Sequence, residues 1–121
     1  MADLGGALME TDKPNRDPHA AVDYIIKHAS QFADAKAQRV YLEEFRKSKK
    51  AILMKQSIEA ALGAQEREAY AHPEYQELLL AIKQAVQIEE KLRWDLIAAQ
   101  ARIEIYRTQQ ANLRAEGRAT I

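Results

Sequence analysis

Between Pro73 and Gly117 the chain contains neither proline nor glycine. Such a stretch has nothing to turn on, so it reads as one helix from Pro73 to about Ala115, roughly 64 Å long at 1.5 Å per residue. A helix of that length is not sustained by propensity alone and needs a partner along its side. The rest of the 121-residue sequence is equally poor in turn material, with 4 Gly and 3 Pro in all. The elements must therefore be few and long. Ala, Leu, Gln, Glu, Lys and Arg dominate, which is a helix composition.

The long segment carries a heptad seam. One position reads Tyr75, Ile82, Glu89, Leu96, Ile103 and Gln110, and its companion reads Leu78, Ala85, Leu92, Ala99, Tyr106 and Leu113. All but Glu89 and Gln110 can pack against a second helix. Upstream, Asp17-Pro18 reads as a helix start, a carboxylate N-cap followed by proline at the first helical position. A short helix is expected from there to about Phe32. Asp34 then caps a second helix from Ala35 to about Tyr70, with Gly63 inside it at a cost of roughly 1 kcal/mol relative to Ala. Pro73 breaks the chain at His72, and Gly117 supplies a C-terminal stop.

The expected fold is therefore all-α: a long, coiled-coil-like antiparallel helical hairpin over residues 17–121, with a short N-terminal helix. Residues 1–16, with Gly5-Gly6 and Pro14, read as a flexible N-terminal arm. Tyr41, Phe45 and Tyr106 fall on the seams and are expected in the core. A second apolar stripe on the last helix, Leu80, Trp94, Ala98, Ala101 and Ile105, lies off the seam. A helix apolar on several sides is buried on several sides. The stripe is therefore assigned to a homo-oligomer interface.

Net charge is zero, but the charges are segregated. Residues 36–55 hold Lys36, Arg39, Arg46, Lys47, Lys49, Lys50 and Lys55 against Glu43 and Glu44. Residues 56–90 hold Arg67 and Lys83 against seven Glu. A hairpin folded at His72 places Arg46–Lys50 across from Arg93–Ile97. The two basic blocks would then share one half of a dipolar rod. Cations interleaved with aromatics suit single-stranded nucleic acid, because the cations track phosphates while rings stack on bases. The candidate nucleic-acid-binding residues are Arg39, Arg46, Lys47, Lys49, Lys50, Arg93, Arg102 and Arg107. The alternative is that these charges only solvate long helices.

Catalytic patterns are missing from the sequence. His19 and Asp23 share a helix face, but no third ligand is spaced to join them, so no metal is expected. Glu68 and His72 read as a helix-end contact. Ser30, Ser48 and Ser57 have no oriented base nearby in sequence. There is no phosphate loop, and the lack of cysteine removes disulfides, Cys-type zinc sites and Fe–S clusters. A non-enzymatic protein without cofactor is expected. No apolar run reaches the roughly 20 residues that span a bilayer. A cytoplasmic protein with no membrane association follows as the expectation.

The segments Tyr41–Lys50 (YLEEFRKSKK), Glu68-Ala69-Tyr70, Pro73-Glu74-Tyr75 and Ile103–Arg114 together give a lysine-rich helix, tyrosines about a turn and an arginine-bearing last helix. In this the chain resembles small phage-encoded helical proteins, and is similar to recombination mediators of the UvsY type over about residues 36–118. The resemblance implies an oligomeric, single-stranded-DNA-binding accessory of recombination or replication, acting in the host cytoplasm. Its implied partners are a recombinase and a single-strand-binding protein, with Arg46, Lys47, Lys49 and Lys50 as the DNA-contacting cluster. The competing expectation is a phage-encoded inhibitor or adaptor that binds a host enzyme or host defence protein through apolar and acidic surfaces.

Overall fold

A computed structural model describes residues 17–120; the expected N-terminal arm lies outside them. The described residues are all-helical, with three helices and no strand: α1 (Pro18–Gln56), α2 (Leu62–Ala71) and α3 (Pro73–Thr120). No helix among them is long and apolar enough to cross a membrane.

Where strong local signals exist, the helix ends follow them. The Asp17 carboxylate accepts the His19 backbone N–H at 2.9 Å, so the expected N-cap is formed and Pro18 occupies the first helical position. Before Pro73, His72 is extended (φ −65°, ψ 137°), as the proline ring requires of its predecessor. His72 also joins the two helices. Its N–H bonds the Ala69 carbonyl at 3.2 Å, and its own carbonyl accepts from Tyr75 at 3.0 Å. Its ring Nδ1 accepts the Glu74 N–H at 3.0 Å.

Three expected boundaries are corrected. The helix does not stop before Asp34; α1 continues for 39 residues. Asp34 sits exposed among Ala33, Ala35 and Ala37, and Asp within an alanine-rich run costs only about 0.7 kcal/mol or less. The break falls instead at Ser57–Ala61, where neither glycine nor proline stands. Ser57 makes it: its N–H bonds Met54 at 3.2 Å, and its hydroxyl accepts the Glu59 N–H at 3.1 Å while donating to Glu68 at 2.6 Å. A side chain that satisfies the backbone locally competes with the helix ladder. Gly63 therefore lies at the start of α2. At the other end α3 runs through Gly117. That glycine keeps a negative φ, and nothing approaches within 4 Å of where its Cβ would stand.

The described residues divide into two compact units. Ser30–Arg93 forms one. The described residues up to Ala29, together with those from Trp94 onward, form the other. In the first unit Leu53, Ala69 and Tyr75 pack together with Met54 against them, which brings all three helices into one small cluster. Tyr70 meets Tyr75 edge-on with ring centroids 5.3 Å apart. In the second unit Ala21 and Ala99 are fully covered, and His28 stacks on Tyr24 while donating from Nδ1 to its carbonyl at 2.8 Å. The buried residues of α3 are Tyr75, Ala85, Glu89 and Ala99, and each stands on the expected heptad seam.

Candidate interaction surfaces

Glu89 interrupts the seam, and its side chain is only 2% exposed. Burying a carboxylate is costly unless it is paired and hydrogen-bonded. Arg39 of α1 supplies the pair in fork geometry. Its Nε donates to Glu89 Oε2 and its Nη2 to Oε1 at 3.2 Å, while Nη1 reaches Glu43 at 3.0 Å. Arg93 adds a second guanidinium 3.9 Å from Glu89 and pairs with Glu90 at 3.3 Å. The hydrogen bonds from Arg39 hold the Glu89 carboxyl below the usual carboxylate range, against the opposing effect of its covering. The same bonds raise the Arg39 guanidinium. The paired hydrogen bonds from Arg39, aided by the nearby charges of Arg39 and Arg93, outweigh the cost of covering Glu89.

The expected charge map is corrected by these pairs. Lys49 reaches Glu74 at 3.4 Å, and Lys50 reaches Glu66 at 2.8 Å while lying 4.7 Å from the Tyr70 ring centroid. Arg93 lies over Phe32, not against Arg46–Lys50. In order, then, Phe32, Arg39 and Lys49 of α1 meet Arg93, Glu89 and Glu74 of α3. The basic block of α1 thus faces the acidic block instead of a second basic one. The cause is the break at Ser57: α2 forms part of the return, so α1 meets α3 in a register displaced from the one a hairpin folded at His72 would give. The hydrogen bond to Glu66 lowers that carboxyl and, reciprocally, raises the Lys50 ammonium.

Of the eight candidate nucleic-acid residues, Arg39, Lys49, Lys50 and Arg93 are engaged with carboxylates of other helices or turns along α3. Lys47 and Arg107 hold exposed pairs one turn away, with Glu44 and Glu104. Pairs of that kind contribute little and exchange readily with solvent. Arg46 is exposed, Arg102 is half-buried, and neither pairs with a described carboxylate.

Apolar surface is the larger feature. Among the described residues, only Leu53 and Tyr75 are buried apolar side chains larger than alanine. Seventeen large apolar side chains among the described residues are exposed, too many for a core this small to stabilise the chain comfortably. Trp94 is 63% exposed, Ile105 57% and Leu80 59%; Ala98 and Ala101 are also exposed. Tyr41, expected in the core, is 61% exposed and stacks on Phe45 at 6.0 Å. Tyr106, expected there too, is exposed. Ile58 and Leu62, expected with Met54 on a buried apolar side of one continuous helix, project instead from the break at 97% and 70% exposure. Along the first unit, Ala35, Ala85, Ile88 and Leu92 floor an open groove of about 410 Å³ rimmed by Gln31, Asp34 and Gln38.

His19 and Asp23 stand without a third ligand, since no group of three or more metal-binding side chains occurs among the described residues. Glu68 serves Ser57, not His72 as expected. A scan against protein-family models finds no match, and searches of curated proteins and of solved structures find none either.

Proposed function

We propose that this chain is a non-enzymatic helical protein that acts by binding other proteins, itself first, through apolar surface. The single observation that carries the reading is the disproportion between two buried large apolar side chains and seventeen exposed ones among the described residues. Free energy is gained when such surface leaves water, at roughly 25 cal/mol per Å². The homo-oligomer surface comprises Trp94, Ala98, Ala101 and Ile105, and Leu80 adds an exposed apolar residue in the other unit. Within Ser30–Arg93 we read α1 and α3 as an antiparallel hairpin, supported by the order in which Phe32, Arg39 and Lys49 meet their counterparts. Arg39 and Glu89 set its register, as a polar pair in a helical seam can. In the phage setting that the resemblance implies, the heterologous partner is a host enzyme or defence protein, met in the host cytoplasm.

Trp94 is the chain's one tryptophan, so its emission reports directly on this surface. On raising the concentration from micromolar to hundreds of micromolar, its emission moves to shorter wavelength as the indole leaves water. Emission independent of concentration throughout, at the wavelength of an exposed indole, refutes the assignment of Trp94 to the interface.

A second reading, a single-stranded-DNA-binding mediator with a recombinase and a single-strand-binding protein as partners, is favoured by Arg46 and Arg102, which have no described carboxylate partner, and by Lys47 and Arg107, whose pairs are exposed. Binding of a labelled oligonucleotide at low and high salt decides it. Each phosphate contact contributes a slope of about −0.7 for single strands, and an absence of binding at low salt removes this reading.

A further inference from the structure

We propose that two copies of this chain pair in antiparallel orientation along Trp94–Ile105 of α3, with Arg102 of each copy meeting Asp95 of the other. The proposal rests on the self-association reading and adds its orientation and register.

Trp94, Ala98, Ala101 and Ile105 follow each other at helical spacing, so they line one stripe. Their order is large, small, small, large, which is the same read from either end. Turning a second copy end for end about the midpoint between Ala99 and Gln100 sets Trp94 against the second copy's Ile105, and Ala98 against its Ala101. The alanines let the helix axes approach closely, and the two larger layers close the ends. An interface in which the same patch serves both copies must be self-complementary in this way.

The flanking charges fit this orientation. Asp95 and Arg102 follow Trp94 and Ala101 directly, so both lie on the same flank of the stripe. In an antiparallel pair like flanks face each other, and Arg102 comes beside the second copy's Asp95, twice by symmetry. Ile97 and Glu104 occupy the other flank, so Asp95 and Glu104 are not opposed. A parallel pair would instead set Arg102 nearest the second copy's Glu104, which already pairs with its own Arg107 at 3.2 Å, and force Trp94 against its own counterpart. The order of the apolar stripe, and not charge, therefore separates the two orientations. Arg102 is half-buried and pairs with no described carboxylate. Asp95 interacts within its own chain, and a carboxylate retains lone pairs for a second donor. The stripe is about three helical turns long, a smaller seat than the roughly 800 Å² per partner of tight complexes. The pair therefore dissociates on dilution.

The chain has no cysteine, so single cysteines introduced by Gln100→Cys or Gln109→Cys in the full chain take spin labels uniquely. In the antiparallel pair the Gln100 labels lie near the symmetry axis, under about 20 Å apart, while the Gln109 labels lie roughly 30 Å apart. Short distances at both positions overturn the orientation while leaving self-association standing. Long distances at both place the interface elsewhere and overturn the proposal, and a monomer at every concentration removes self-association itself. Asp95→Arg and Arg102→Asp each weaken the pair by about ten-fold, since each loses two ion pairs and gains two like-charge contacts. The double reversal restores it. A double variant no tighter than the singles, with helicity intact by circular dichroism, overturns the ion pair.

Discussion

Leu53 and Leu80 are the same residue type, yet one is 4% and the other 59% exposed. Truncating each to alanine separates the seam that holds the fold from the surface that is free to bind. Leu53→Ala removes three carbon atoms from the cluster with Ala69, Tyr75 and Met54. At about 0.8 kcal/mol per buried methylene the transfer term is about 2.4 kcal/mol, and a residual cavity adds to it. The cluster is small and Met54 is adaptable enough to fill part of the gap, which keeps the total near the low end of the range, about 2–3 kcal/mol. At about 4 °C per kcal/mol for a chain of this size, the melting temperature falls by about 8–12 °C. Leu80→Ala stays within about 0.5 kcal/mol under the same conditions. Thermal unfolding followed by the helix signal, at a concentration low enough to keep the chain monomeric, reads both. Equal losses from the two variants, or a Leu53→Ala protein as stable as wild type, would refute this division into seam and surface.

Four further outcomes are expected. Glu89 and Glu66 both have lowered carboxyl pKa values in the fold. Each therefore contributes stability that is present above the unfolded carboxyl value of about 4.3 and is lost as pH falls through the lowered one. Glu89→Gln should melt below wild type at pH 7 and converge with it in acid; a gap that persists unchanged at low pH would contradict the ion-pair assignment. Ser57→Ala loses the hydroxyl that holds the break, so the melting temperature should fall without loss of helicity, and an unchanged value would show that the break does not depend on it. Trp94→Glu should lower the oligomeric state while leaving helicity intact, as read by light scattering and circular dichroism together. If oligonucleotide binds at all, Arg46→Gln with Lys47→Gln should flatten the salt slope by about 1.4, whereas an unaltered slope would remove both residues from the contact.

The parts of the fold that were legible are those with a local cause. Asp17-Pro18 and His72-Pro73 fix their boundaries through backbone chemistry within a residue or two. The seam of α3 was readable because burial on a helix must recur at its own period. Glu89 was readable as an interruption, but its partner was not, because Arg39 lies fifty residues away and only the tertiary register brings them together. That register was misjudged because of the break at Ser57. Its hydroxyl bonds Glu59 locally, but the bond to Glu68 and the packing of Leu53 on Ala69 and Tyr75 are not local. With the break displaced, α1 met a different part of α3, and Lys49 and Lys50 met acids in place of open solvent. Off the seam, the exposure of Trp94 and Ile105 was legible from spacing, since neither falls on a position of the heptad seam.

The central claim is that the exposed apolar surface of one copy is covered by another. Sedimentation equilibrium from micromolar to hundreds of micromolar chain tests it most directly, because it measures mass without assuming shape. A mass rising with concentration from 13.7 kDa to at least twice that value, and pushed back toward the monomer by Trp94→Glu, is the predicted result. A single species at the mass of one chain across the whole range would contradict it.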